Sequence, residues 1–179
     1  MKYHWKYDDV DEQFFEACRS NDPDILQRFL TDYPELGANT LGVAAVNGYL
    51  HTVRHLLTHP FFHNTLDIHA DDDQAFRVAA KYRQLEVVQY LLTSPELKKH
   101  SHVDAKNDQA FIYACKWKTF EIAEYLLRFY SPQRAQEILK RKNIRYPEIE
   151  KIIQAHLLRD RMMDDWGALK TETVDERKM

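Results

Sequence analysis

The chain has 179 residues, 44% of them apolar and 30% charged, with a net charge of −3. That is enough apolar material for a buried core and gives no general attraction to nucleic acid or anionic lipid. Four glycines and six prolines argue against a turn-rich all-β protein. No run of about 18 apolar residues occurs, so no membrane-spanning helix is expected. The opening MKYHWKYDDVDEQ lacks the apolar centre of a secretory signal, so a cytoplasmic protein is expected.

Residues 1–10 carry Tyr3, His4, Trp5 and Tyr7 among charges and are expected to form an arm, either covering the first helices or loose. Segment 14–30, FFEACRSNDPDILQRFL, predicts two short helices. Phe14, Ala17 and Cys18 share one face by i, i+3, i+4 spacing, and Asp22 with Pro23 makes a clean start for the second helix. The next helix pair spans 41–57, where Asn47-Gly48 calls for a left-handed backbone at the end of its first helix.

Residues 75–92, AFRVAAKYRQLEVVQYLL, are then written again at 110–127 as AFIYACKWKTFEIAEYLL. Self-similarity at a period of this size marks a repeat array. Four small pairs register the copies: Ala17/Cys18, Ala44/Ala45, Ala79/Ala80 and Ala114/Cys115. Each is followed by a large pair, Phe29/Leu30, Leu56/Leu57, Leu91/Leu92 and Leu126/Leu127. Small side chains let helices approach closely, and the large pairs fill the gap to the next copy. Cys18 and Cys115 therefore read as buried, and they lie too many copies apart for the ~7 Å Cα limit of a disulfide.

The linkers at 58–76 and 93–111 also match. Each has Pro two residues after a Thr, an extended step, a polar turn, and then Asp-Gln-Ala-Phe. This pattern predicts a protruding hairpin loop with exposed tips at 71–73 and 106–108, with Asp73 and Asp108 capping the helices that follow. After Leu127 the pattern degrades. Residues 132–142 and 147–158 make another pair with Pro132 and Pro147 at the helix starts, and Lys140, Arg141 and Lys142 fall where other copies keep small residues. A terminal repeat needs a polar outer face, so 132–166 is expected to be a cap and the polar stretch 167–179 a disordered tail.

Helix, turn, helix and extended loop in this order resemble the ankyrin repeat. Phe76 to Ala80 and Leu85 to Leu92 match the family's two helices, and Asp67 to Ala70 match its loop. The resemblance covers residues 11 to about 130. It implies an all-α solenoid of about four helix-turn-helix repeats (11–37, 38–71, 72–106 and 107–131) with a divergent helical cap. The chain departs from the family by lacking Thr-Pro-Leu-His, replaced by Gln-Ala-Phe in copies three and four, and by placing Asn21, Arg83 and Lys118 where the family keeps a turn glycine. Arg or Lys in a left-handed position costs about 1 kcal/mol relative to Gly. The Gln-Ala-Phe variant resembles ankyrin proteins of intracellular bacteria and large DNA viruses.

The resemblance implies a non-enzymatic module that binds a partner protein through its concave face and loop tips, as a monomer, without nucleic acid or membrane as partners. Carried over position by position, the candidate contacts are Val78, Lys81, Tyr82, Tyr113, Lys116 and Trp117 on the first helices. Asp72, Asp73, Lys106 and Asn107 join them at the loop tips. Exposed aromatics flanked by charge have the composition of interface anchors; rings leaning on neighbouring helices are the alternative. An effector acting in a host cytosol, with the C-terminal tail as export signal, is a second role for the same module.

A different class of function would use His51, His55, His59 and His63, which recur every four residues and could pair on a metal. Pro60 interrupts the run and no further ligand completes a shell, so a solvated face is expected, with no metal and no cofactor. Asp71-Asp72-Asp73 lacks the alternation of a calcium loop. Lys140-Arg141-Lys142 with Arg145 is too short and isolated for nucleic-acid binding and reads as a solvated cap helix. No signature of nucleotide binding, metalloprotease, hydrolase or kinase chemistry is present, so no catalytic residue is expected.

Overall fold

The computed structural model describes residues 9–20, 22–33, 37–62, 66–159 and 162. The expectations for the N-terminal residues 1–8, the C-terminal tail, Asn21 and His63 lie outside the described residues. Helices follow one another as α1 (Asp9–Arg19), α2 (Pro23–Asp32), α3 (Gly37–Asn47), α4 (Leu50–Thr58), α5 (Ala70–Lys81), α6 (Leu85–Thr93), α7 (Ala105–Lys116), α8 (Phe120–Leu126) and α9 (Pro132–Arg141), with a 3-10 turn at Pro60–Phe62. A final helix, α10, spans 147–159. Among the described residues there is no strand.

First helices pack on first helices, α3 on α5 on α7, and second helices on second helices, α4 on α6 on α8. The stack holds because its contact positions are small and fully buried. Cys18, Ala44, Ala45, Ala79, Ala80, Ala114 and Cys115 have no exposure at all, and Phe76 and Phe111 fill the space beside them. In α9, which packs on α7, the place of Ala45, Ala80 and Cys115 is taken by Lys140, which is exposed. An ammonium there suits a helix with no further copy stacked on it.

All the first helices from α3 to α9 end alike. The amide of Tyr49 donates to the Ala44 carbonyl at 2.9 Å, Gln84 to Ala79 at 3.0 Å, Thr119 to Ala114 at 2.9 Å and Ile144 to Leu139 at 2.9 Å. The residue before each donor is left-handed: Gly48 at φ +74°, Arg83 at +69°, Lys118 at +56° and Asn143 at +51°. This six-to-one closure satisfies helix-end carbonyls. Gly48 is doubly constrained, because a Cβ there would collide with the side chain of Gln84.

Side chains stitch each copy to the one before. Gln84 Nε2 donates to the Val46 carbonyl at 2.9 Å and Thr119 Oγ1 to the Ala80 carbonyl at 3.4 Å. Thr52 Oγ1 and His51 Nε2 both reach the Cys18 carbonyl, the latter at 3.1 Å. Carbonyls that a first helix leaves unpaired at its C-terminal end are thus satisfied by the following copy.

The expected hairpin tips are not hairpins. Asp71, Asp72 and Asp73 take φ of 50°, 55° and 57°, and Lys106, Asn107 and Asp108 take 49°, 60° and 63°. Each triplet is one turn of left-handed helix ahead of the right-handed helix that begins at the following Gln. Three such residues in a row are disfavoured, least so for Asp and Asn. Arg77, itself buried, holds the first triplet by donating to the carbonyls of Asp71 at 2.6 Å and Asp72 at 2.8 Å, while also reaching Gln109 Oε1.

Candidate partner face and loop-tip clusters

Tyr82 and Trp117 stand at the ends of α5 and α7 and are exposed, at 48% and 58%. Lys116 is exposed, whereas Val78, Lys81 and Tyr113 are half-buried. Lys81 is not a free charge. Its Nζ lies 5.1 Å from the Tyr82 ring, 5.6 Å from Tyr113 and 5.4 Å from Trp117, so three rings from two adjacent helices surround one ammonium. The next concavity along the same edge is lined by Lys116, Lys142, Asn143, Ile144, Arg145 and Tyr146, and Lys118 Nζ stands 5.6 Å from the Tyr146 ring. From the sequence, Arg145 reads only as part of the basic run of the cap and Tyr146 carries no signal, because their approach to Lys116 depends on how α9 docks.

At the loop tips the expectations divide. Asp72, Lys106 and Asn107 are exposed. Asp73 is buried and does not cap α5, because the left-handed turn swings the third carboxylate inward. There His69 Nδ1 donates to Asp73 Oδ1 at 2.8 Å and His102 Nδ1 to Asp73 Oδ2 at 3.0 Å, and the His102 amide adds a third bond at 3.2 Å. Asp108, equally buried and likewise no cap, receives Arg134 at 2.8 Å on Oδ1 and Arg141 at 3.2 Å on Oδ2. Both carboxylates thus tie one copy to the next element.

The histidines at 51, 55 and 59 do not form the solvated face expected of them. His51 is spent on the Cys18 carbonyl, and His55 packs against His59 with ring centres 4.6 Å apart and planes tilted by 33°, and meets Phe62 edge-on at 5.5 Å. Burial, followed by the neighbouring His59, lowers the His55 pKa from its ordinary value, against a small opposite pull from Asp24. The unfolded chain therefore takes up that proton first. His55 subtracts nothing above its ordinary pKa of about 6.5 and destabilises the fold increasingly as pH falls below it. Replacing His55 with Gln is expected to flatten the loss of Tm between neutral and mildly acid pH; an unchanged slope would reject this assignment.

Cys18 and Cys115 are buried and free, and burial pushes both thiols up to about 12. Neither has the electropositive, accessible setting that makes a thiolate nucleophile.

A family model described as ankyrin repeats, in three copies, matches residues 14–99. This segment belongs to the ankyrin repeat family. The match takes in α1 to α6, and α7 with α8 continues the same packing beyond it. Ankyrin arrays are generally protein-protein interaction modules and are typically non-enzymatic. No curated protein and no solved structure matches the chain.

Proposed function

We propose that this ankyrin array is a non-enzymatic module that captures an acidic partner protein on the edge formed by the ends of α5, α7 and α9. The observation that carries the reading is the aromatic enclosure of Lys81 by Tyr82, Tyr113 and Trp117. It is a rigid platform of large side chains that costs little ordering entropy to use, which is what interface anchors require. Lys116, Lys142 and Arg145 gather beside it and would meet carboxylates of the partner, guiding encounter and register. Asp72, Lys106 and Asn107, exposed on the left-handed turns at the other ends of the same helices, would add polar contacts to a partner long enough to reach them.

The test is affinity capture with the purified array beside a Tyr82→Ala, Tyr113→Ala, Trp117→Ala variant. The captured protein is expected to carry an acidic segment, to bind the variant at least about tenfold more weakly, and to be released by salt. The variant should melt close to the wild type, since two of its three rings are largely exposed. A partner held equally well by the variant would sink the proposal, and a large fall in Tm would show that the rings support the stack instead.

A further inference from the structure

We propose that His69, Asp73 and His102 form a site for a late first-row divalent cation, with zinc as the representative ion. One ligand atom from each residue falls within a group whose members all lie within 4.8 Å of one another. Both Nδ1 atoms already face the carboxylate, at 2.8 and 3.0 Å. Two ligands each about 2.1 Å from a tetrahedral zinc are about 3.4 Å apart, so each imidazole nitrogen has to draw back from the carboxylate by about half an ångström to admit the ion. The imidazole rings stack with centres 4.5 Å apart and 22° between planes, which aligns their nitrogens on the same carboxylate. Two imidazoles and one carboxylate with open positions suit zinc, cobalt, nickel or ferrous iron rather than calcium or magnesium.

The contrast with the next copy supplies an independent reason. Asp108 holds the same place as Asp73, 35 residues on, and its buried charge is met by two guanidiniums, Arg134 and Arg141. Asp73 is as buried, at 3% side-chain exposure, but its two side-chain partners are imidazoles, which carry no obligatory charge. A buried carboxylate calls for a cation, and a metal on His69 and His102 supplies one. Asp67, Asp71 and Asp72, all exposed, add negative potential around the site. Arg77 spends its guanidinium on the carbonyls of residues 71 and 72 and on Gln109, fixing the turn that delivers Asp73. His102 is 66% exposed, which leaves room for water to complete the coordination.

Bound there, the ion would staple the loop before α5 to the loop before α7. Coordination through Nδ1 leaves each neutral imidazole with its proton on Nε2.

The full chain, without a histidine tag and stripped with chelator, is titrated with zinc chloride by calorimetry at neutral pH, with Tm followed in parallel. One zinc per chain and a raised Tm are expected. His69→Ala and His102→Ala should each weaken uptake by at least about tenfold, whereas a His51→Ala, His55→Ala, His59→Ala variant should bind as the wild type does. Because His102 is mostly exposed, His102→Ala is expected to fold, and an unchanged circular dichroism spectrum checks that it does. Cobalt substitution should give a visible d–d absorption that His102→Ala removes. Absence of uptake, uptake that survives both single substitutions, or uptake lost in the 51/55/59 variant would each overturn the assignment.

Discussion

Replacing Phe111 with Ala is expected to cost about 3–5 kcal/mol of folding stability, the range for a fully buried phenylalanine truncated in a core that cannot close over the gap. Phe111 has no exposed surface, and its ring meets Tyr130 at 5.4 Å between centres. Tyr130 in turn donates its hydroxyl to the Val103 carbonyl at 2.7 Å. The cavity would therefore open where α7, the loop before it and the segment leading to α9 come together. Tyr130 cannot collapse into it without breaking that bond. Against a total stability of about 5–15 kcal/mol, the loss should move the urea midpoint severely. In a stack held by neighbour contacts, it should also let α7 to α10 melt ahead of the rest. Phe111→Leu keeps most of the volume and should cost less than about 1.5 kcal/mol. A Phe111→Ala chain that unfolds within about 1 kcal/mol of the wild type would show that the ring is not the packing centre its burial implies.

Much of this fold is legible in the sequence because a repeat writes its core several times. Ala79 and Ala114 alone would be two alanines in helices; set 35 residues apart in one register with Ala44, they mark the contact line along which first helices stack. The strained turn positions at Arg83 and Lys118 were likewise readable, since the place of a turn glycine demands a left-handed backbone whatever residue occupies it. The left-handed triplets were not. Asp71-Asp72-Asp73 has the composition of a solvated tip, and what winds it into a helical turn is a tertiary grip, Arg77 on the carbonyls of residues 71 and 72. That winding turns the third aspartate into the protein. One signal was available: Asp71 and Asp72 become Lys106 and Asn107 in the next copy, while Asp73 becomes Asp108. The pairing of His69 with His102 gave no such signal, because the two stand at different repeat positions, 33 residues apart, and meet only through the stacking of copies. The regular run at 51, 55 and 59 drew attention instead, because its spacing shows along one stretch of sequence.

Asp108→Ala is expected to destabilise the chain by about 2 kcal/mol, with the loss concentrated in α9 and α10. The carboxylate is 7% exposed and accepts from Arg134 and Arg141, whose side chains are 47% and 55% exposed. Charge-assisted bonds to a buried acceptor are worth about 1.5–3 kcal/mol each. That figure must be discounted here because both guanidiniums can return to water when the partner is gone. Arg134 would also keep its place over the Tyr130 ring, 5.2 Å from its centre, and its longer pairing to Asp104 at 3.6 Å. What is lost outright is the only carboxylate that both arginines share among the described residues. Ile138, Leu139, Ile149 and Ile153 remain buried and should hold α9 and α10 on the stack, but more loosely. Amide exchange is the discriminating measurement. Faster exchange confined to 132–159 is the expected result, whereas uniform acceleration through α3 to α8 would mean that Asp108 supports the whole array. Asp108→Asn keeps the shape and one acceptor while removing the charge, and should fall between the wild type and Ala. If Asn matches the wild type, hydrogen bonding rather than charge holds the final helices in place.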